Sequence, residues 1–158
     1  MATTPNSIIT PQVVNSPAAH VVLSTAMTST AAFDGTDAAG TALGLIFTAG
    51  ADGSVTPDFA TICYAGTTGA AASGTSAATV VRFFLNNGST NTTATNNTFI
   101  GEISVPAQLY SSSAEMPRFK FPLGLKLPAT WRIYAGLTVA TGGTNCALAI
   151  SAAGGGNL

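Results

Sequence analysis

Short apolar runs, separated by clusters of glycine, asparagine, aspartate and serine, recur along most of the chain. In the clearest run, residues 131–139, apolar side chains occupy every second position from Trp131 to Val139. A period of two is typical of a strand with one buried face. The pattern predicts strands at residues 19–26, 42–48, 60–65, 79–85, 99–105, 118–123, 131–139 and 146–151.

Two of these runs also predict which side chains point into the core. The predicted inward side chains are Val81, Phe83 and Leu85 in the first run, and Phe99, Ile103 and Val105 in the second, where Glu102 points away. The polar residues 86–98 between the two runs predict a long hairpin loop that projects from the body.

Helical signals are weak, because the alanine-rich pieces at 70–72 and 77–78 are flanked by glycine, threonine or serine. No shift in composition divides the chain. We therefore predict one all-β domain, a β-sandwich of jelly-roll-like type, over residues 18–151. An extended N-terminal arm, residues 1–17, precedes it, and a flexible tail, residues 152–158, follows it.

The arm carries a proline at every sixth position, at residues 5, 11 and 17, which disfavours a helix. It also carries apolar side chains that a solvated arm would not need. They predict that the arm lies on a surface, either of its own sheet or of a neighbouring subunit, and they are Ile8, Ile9, Val13 and Val14.

The composition argues against several classes of function. Charged residues make up only 7% of the 158 residues, and alanine, threonine, glycine and serine make up more than half. A net charge of −1 gives no general attraction to nucleic acid or to an anionic membrane. The first residues lack the basic and apolar regions of a secretory signal, and no stretch is apolar enough to predict a spanning helix.

Groups for catalysis or metal binding are scarce, so we expect no enzymatic activity, no metal and no cofactor. His20, the one histidine, has apolar neighbours, and no nucleophile elbow occurs. Cys63 and Cys146 are predicted as small buried thiols, and whether they form a disulfide stays open. The Asp-Gly pairs at 34–35 and 52–53 predict turns rather than a calcium loop.

Positive charge is concentrated in one part of the sequence. Residues 1–79 contain no lysine or arginine, and four of the five cations lie between 118 and 132. They belong either to ordinary solvated faces or to a surface that docks on an acidic partner or a neighbouring copy. These candidate partner-binding residues are Arg118, Lys120, Lys126 and Arg132.

The layout of the chain resembles that of small all-β virion proteins of tailed bacteriophages. The resemblance rests on the opening Met-Ala-Thr-Thr-Pro-Asn, on Arg-Phe-Phe-Leu-Asn-Asn-Gly at 82–88 followed by Ile-Gly-Glu-Ile-Ser-Val-Pro-Ala at 100–107, and on Leu-Lys-Leu-Pro-Ala-Thr-Trp-Arg-Ile-Tyr-Ala at 125–135. Such proteins often have glycine where Thr130 stands. Among them, the chain looks most like head decoration, or cement, proteins.

This resemblance implies a structural role on the outside of the phage head, in a particle assembled in the host cytoplasm. The implied partners are the major capsid protein and further copies of the chain, with a trimer favoured. The alternative is a tail-associated or receptor-binding protein that uses the 86–98 loop, with aromatic contacts from Tyr110, Trp131 or Tyr134. A small hydrolase is a third, weaker alternative.

Overall fold

The computed structural model describes residues 20–37, 40, 42–50, 55–66, 73–111, 113, 115–142 and 146–156. These residues form strands, one short helix, α1 (Ala31–Asp34), and one 3₁₀ turn (Ala94–Asn96). The strands are β1 (His20–Leu23), β2 (Leu43–Thr48), β3 (Val55–Gly66), β4 (Ser73–Thr75), β5 (Thr79–Asn86), β6 (Asn97–Val105), β7 (Leu109–Ser111), β8 (Arg118–Pro122), β9 (Arg132–Leu137) and β10 (Cys146–Gly156).

Eight of the strands form two four-stranded antiparallel sheets, in the orders β1-β10-β3-β8 and β2-β9-β5-β6. The strand pairs are nested around the β5–β6 hairpin: β3 pairs with β8, β2 with β9, and β1 with β10. This wrapping of one long hairpin into two sheets is the topology of a jelly roll. It confirms the predicted all-β sandwich. The short strands β4 and β7 form a separate ribbon.

Each of the eight predicted strands corresponds to a strand of the two sheets, with shifted ends. The largest shift at a C-terminal end is in β10, which continues past the expected end at Ser151 to Gly156 and pairs with β3 along this extension. Residues 152–156 therefore lie in the sheet and not in a tail. The ribbon strands β4 and β7, at three residues each, are too short to show a period.

The main core lies between the two sheets and is built by the alternation that the sequence predicts. Its largest fully buried side chains come from six strands and one loop, and they are Ile46, Ile62, Val81, Phe83, Val105, Leu127, Ile133, Leu137, Leu148 and Ile150. Phe83 also stacks on Phe121 of the opposite sheet, with ring centroids 4.5 Å apart. Burial of each such side chain contributes about 1.5–3 kcal/mol.

A second apolar cluster lies on the outer face of the β2-β9-β5-β6 sheet. The connection from β1 to β2 crosses this face and packs Met27 and Ala31 against Phe84. Phe84 is fully buried as a result, although the alternation along β5 assigns its side chain to the outer face. Val139 was expected in the core and is exposed, because β9 ends at Leu137.

A β-bulge in β6 changes the predicted face of Phe99. Gly101 pairs with Phe83, but the next pair along β5 joins Phe84 to Phe99, so that Ile100 is the extra residue. The bulge moves Phe99 to the outer face beside Phe84, where it is 47% exposed, and Ile100 packs against the core instead. The predicted inward position of Phe99 is therefore wrong.

The two cysteines are free thiols. Cys63 lies opposite Ala149 in the β3–β10 pair, whereas Cys146 lies opposite Gly66. Because side chains alternate along β10, the positions of Cys146 and Ala149 project to opposite faces of the sheet. The strand pairing therefore keeps the two sulfur atoms apart.

Candidate functional site

The outer face of the β1-β10-β3-β8 sheet is broad and is built largely from small side chains. The strand registers align two rows across all four strands. We call these rows the flat face, and they consist of Val22, Ala149, Cys63 and Arg118, and of His20, Ser151, Thr61 and Lys120. Between their two ends the rows contain only alanine, serine, threonine and cysteine, so few side-chain rotamers would be lost when the face is covered.

Two of the predicted cations, Arg118 and Lys120, lie at one end of the flat face. Arg118 and Lys120 are exposed on β8, two positions apart and on the same side of the strand. Lys120 also lies over the ring of Phe59, with its Nζ atom 4.6 Å from the ring centroid. Neither cation forms an ion pair with a residue in the described part of the chain. Their charges are therefore available to an acidic surface.

The other two cations do not belong to the rows of the flat face. Lys126 is exposed in the connection between β8 and β9. Arg132 begins β9 in the other sheet, and its guanidinium donates a hydrogen bond of 3.1 Å to the carbonyl oxygen of Ser89. The segment 118–132 therefore does not form one basic patch, because its residues are divided between the two sheets.

A shallow pocket of about 280 Å³ lies on the outer side of β6, where α1 approaches the sheet. We call it the aromatic pocket, and its lining residues are Ala32, Phe33, Arg82, Phe99 and Glu102. The guanidinium carbon of Arg82 lies 5.6 Å from the centroid of the Phe33 ring and 5.9 Å from that of Phe99. Both distances are within the range of cation–π interactions.

The polar groups of the aromatic pocket are already paired with one another. Arg82 Nε donates to Glu102 Oε2 at 2.8 Å, and Arg82 also donates through a terminal nitrogen to the carbonyl oxygen of Ala32. What the pocket offers to a partner is therefore mainly the exposed surface of the two phenylalanine rings. Phe33 is 80% exposed, the highest value among the large apolar side chains that the structure describes.

Sequence reasoning missed this pocket, although part of its local signal is visible. Residues 31–33 are Ala-Ala-Phe followed by Asp34-Gly35, and Gly35 ends α1 in the left-handed conformation with φ of 69°. The predicted Asp-Gly turn is therefore present as a helix end. The Asp34 carboxylate accepts hydrogen bonds from the backbone N–H and the hydroxyl of Thr36. The approach of α1 to β6 has no local signal, because it joins residues far apart in the chain.

The hairpin loop comprises residues 87–96 and is held against the body. The side chain of Asn97 donates to the carbonyl oxygens of Gly35 and Asn91, at 3.0 and 3.2 Å. Buried Asn86 donates to Asn97 Oδ1, and the backbone N–H of Asp37 donates to the carbonyl oxygen of Asn91. The hairpin loop predicted at 86–98 is therefore present, but hydrogen bonds tie it to the body.

Three further ionisable side chains, those of Asp37, Tyr64 and Cys146, are buried or hydrogen-bonded within the fold. Asp37 is buried, and its carboxylate accepts the backbone N–H groups of Ala42 and Leu43 at the start of β2. Burial raises the pKa of the Tyr64 phenol and of the Cys146 thiol, which keeps both groups protonated at neutral pH. Among the described residues, no three histidine, cysteine or acidic side chains are grouped as a metal site would need.

Four of the predicted partner-binding residues and one predicted turn lie outside the described part of the chain. Ile8, Ile9, Val13 and Val14 belong to residues 1–19, which the structure does not describe, and the same holds for the turn at 52–53.

Trp131 packs half-buried against the main core, and Tyr134 packs against the second apolar cluster. Both rings are therefore partly covered by other side chains and partly exposed.

Comparisons with family models, with curated proteins and with solved structures find no match to this chain. Within the described ranges, no helix is both long enough and apolar enough to cross a membrane.

Proposed function

We propose that the protein is a structural component of a bacteriophage virion, a decoration protein that binds the outer surface of the head and bridges capsomers. The observation that carries the proposal is the flat face, with its rows of small side chains that end in Arg118 and Lys120, two exposed cations without an ion pair among the described residues. The sequence resemblance to phage decoration proteins supports the same role.

Covering this face costs little conformational entropy. Small side chains lose little rotamer entropy on burial, so most of the apolar area that they bury contributes to association. The two cations at the edge favour an acidic partner surface and speed its docking. In this proposal the partner is the major capsid protein, and further copies of the chain complete the assembly as a trimer.

The test is the copy number of the chain in purified particles, measured by quantitative mass spectrometry. A protein that covers the head lattice is present in hundreds of copies. A few copies, or a few dozen, would place the chain at the tail or at a vertex, and absence from the particle would contradict any role in the virion.

A binding experiment with charge variants tests the role of the flat face. Arg118→Gln combined with Lys120→Gln should weaken binding to undecorated heads, and it should also reduce the salt dependence of binding. Lys126→Gln is the control, because it removes an exposed charge that does not belong to the two rows of the flat face. Equal binding by the double variant and the wild type would exclude the flat face as the contact.

The receptor-binding alternative is favoured by one observation, the ordered hairpin loop with exposed threonines at its tip. The triple variant Thr92→Ala, Thr93→Ala and Thr95→Ala leaves the asparagine hydrogen bonds in place. Under the alternative it should reduce adsorption of the phage to its host, whereas under the decoration proposal adsorption stays unchanged.

A further inference from the structure

The free edge of β6 is open to a further strand. β6 is nine residues long and ends the β2-β9-β5-β6 sheet, so one of its edges has no partner strand among the described residues. Its one charged side chain, Glu102, is paired with Arg82. The edge of β8 carries Arg118, Lys120 and Pro122, which discourage strand pairing, whereas β6 contains no lysine, arginine or proline and has a single bulge at Ile100.

The side chains beside this edge are apolar on both faces of the sheet. Phe99 is on the outer face with the aromatic pocket next to it, and Ile100 and Ile103 pack on the inner side. Since the charges of the pocket are already paired, the pocket suits an uncharged aliphatic side chain better than a charged ligand.

The N-terminal arm has the chemistry that this edge requires. The first charged residue of the whole chain is Asp34, so residues 1–19 carry no acidic or strongly basic side chain. In an extended segment, neighbouring side chains point to opposite faces. The adjacent pairs Ile8–Ile9 and Val13–Val14 therefore place one isoleucine and one valine on each face, which matches the two apolar faces beside β6.

The spacing of the prolines leaves one edge of the arm intact. Backbone N–H groups of a strand alternate between its two edges, and proline has none. Pro5, Pro11 and Pro17 all occupy odd positions, so all of the missing N–H groups fall on the same edge. The even-numbered residues 6–16 keep every N–H group on the other edge, and the proline edge resists the addition of a further strand.

We propose that the arm of one copy adds as an outer strand to the β6 edge of a second copy, with its even-numbered residues facing β6 and an aliphatic side chain in the aromatic pocket. The inference rests on the proposed function only in requiring that copies of the chain associate. The proposed partner of the β6 edge is thus a second copy of this chain.

The length of the arm favours a second copy over the same copy. β1 lies beside β2 at one side of the sandwich, and β6 lies at the other side beside β8. A strand added outside β6 lies four strand spacings and the gap between the sheets away from β1, roughly 21 Å. If nine arm residues, 6–14, pair with the nine residues of β6, residues 15–19 remain and span at most about 16–18 Å. The arm is thus too short to pair fully with the β6 edge of its own copy.

Two pairs of adjacent identical residues, Ile8–Ile9 and Val13–Val14, each have one member at an even and one at an odd position, so they provide matched proline variants. Ile8→Pro and Val14→Pro each remove an N–H group from the edge that faces β6, whereas Ile9→Pro and Val13→Pro remove one from the edge that already holds the prolines. Ile8→Thr and Ile9→Thr keep the N–H and replace the aliphatic side chain with a smaller polar one, so they separate the side-chain contribution from that of the backbone. All six changes lie before the first strand, and the measurement is sedimentation equilibrium of the purified full-length chain.

The even-numbered proline variants should raise the dissociation constant of the oligomer at least about tenfold relative to their odd-numbered neighbours, which corresponds to one lost ladder hydrogen bond and the clash of the ring. Equal effects at both parities would overturn the strand pairing. A monomeric wild-type protein would overturn it as well, while the copy number in particles would still decide the proposed function.

Disulfide trapping between two different copies tests the location. In a Cys63→Ser background, one protein carries Ile9→Cys and the other carries Ser104→Cys on β6. Because each copy has one accessible thiol, a disulfide-linked pair that needs both proteins shows that the arm of one copy reaches β6 of another. Val22→Cys, on the flat face, replaces Ser104→Cys as the control.

The trapping result is read against two alternatives. Cross-linking to Val22→Cys in place of Ser104→Cys would move the arm to the flat face and overturn the proposal. Cross-linking only within a chain that carries both Ile9→Cys and Ser104→Cys would place the arm on its own copy, which also overturns it.

Discussion

At the scale of single residues, the space around a position limits which side chains can stand there. Gly44 in β2 lies directly against the side chain of Val21, and a Cβ atom at this position would overlap both methyl groups of that valine. Gly44 has no positive φ that would require glycine, so the constraint is space alone. It marks a point of close contact between the two sheets, where β1 lies beside β2.

Gly44→Ala should therefore destabilise the fold by about 1–3 kcal/mol, the usual effect of an overpacked core. Chemical denaturation measures the change. The double variant Gly44→Ala with Val21→Ala should be less destabilised than the sum of the single variants, because the second change removes the overlapping methyl groups.

Gly50→Ala is the matched control for this prediction. A Cβ atom at Gly50 meets nothing within 4 Å, so the free energy of unfolding should stay within about 0.5 kcal/mol of the wild type. A similar loss of stability for both glycine variants would mean that the contact with Val21 does not explain the effect, since backbone entropy by itself favours alanine over glycine.

At the scale of elements, irregular strands define the surfaces of this protein. The bulge in β6 moves Phe99 beside Phe84, with ring centroids 5.9 Å apart, and creates one wall of the aromatic pocket. The extension of β10 beyond Ser151 adds pairs with the first half of β3. Neither feature follows from strict alternation, because a bulge and an alanine- and glycine-rich strand both weaken the period.

The extension of β10 predicts the effect of shortening the chain. A chain that ends at Ser151 loses buried Ala152 and the backbone pairs between Ala152–Gly156 and β3, and it should be destabilised by about 1–3 kcal/mol. Thermal unfolding followed by circular dichroism measures this difference. A chain that ends at Gly156 keeps every strand residue and should match the wild type. If the chain ending at Ser151 were equally stable, the extension would contribute nothing to the fold.

At the scale of the whole molecule, the nested topology separates partner strands widely in sequence. β5 and β6 are joined by a ten-residue loop, whereas His20 of β1 pairs with Ser151 of β10. Closing long loops costs more entropy, so contacts between distant strands form late in folding. The β5–β6 hairpin is therefore the expected nucleus of the jelly roll.

This order of folding can be measured by φ-value analysis of two fully buried positions. Val81→Ala in β5 should give a φ-value of about 0.5–0.8, and Ile150→Val in β10 one below about 0.3. Stopped-flow folding and unfolding rates supply both values. The reverse order, with Ile150 structured before Val81, would contradict the hairpin nucleus.

The sequence by itself determined the fold class, the eight main strands and most of the core, because alternation is a property of neighbours in the chain. Val81, Phe83, Ile133 and Leu137 are buried as their period predicts. The predicted turn at Asp34-Gly35 is also present, since glycine alone adopts a left-handed conformation at no cost.

Only the tertiary structure decided which surfaces a partner can meet. Arg118 and Lys120 share the flat face with Val22 and His20 because four strands from distant parts of the chain align there. Phe33 lies near Arg82 because a connection folds across the outer side of a sheet. Packing between segments far apart in sequence brings these residues together, so no local pattern of side chains predicts their contacts.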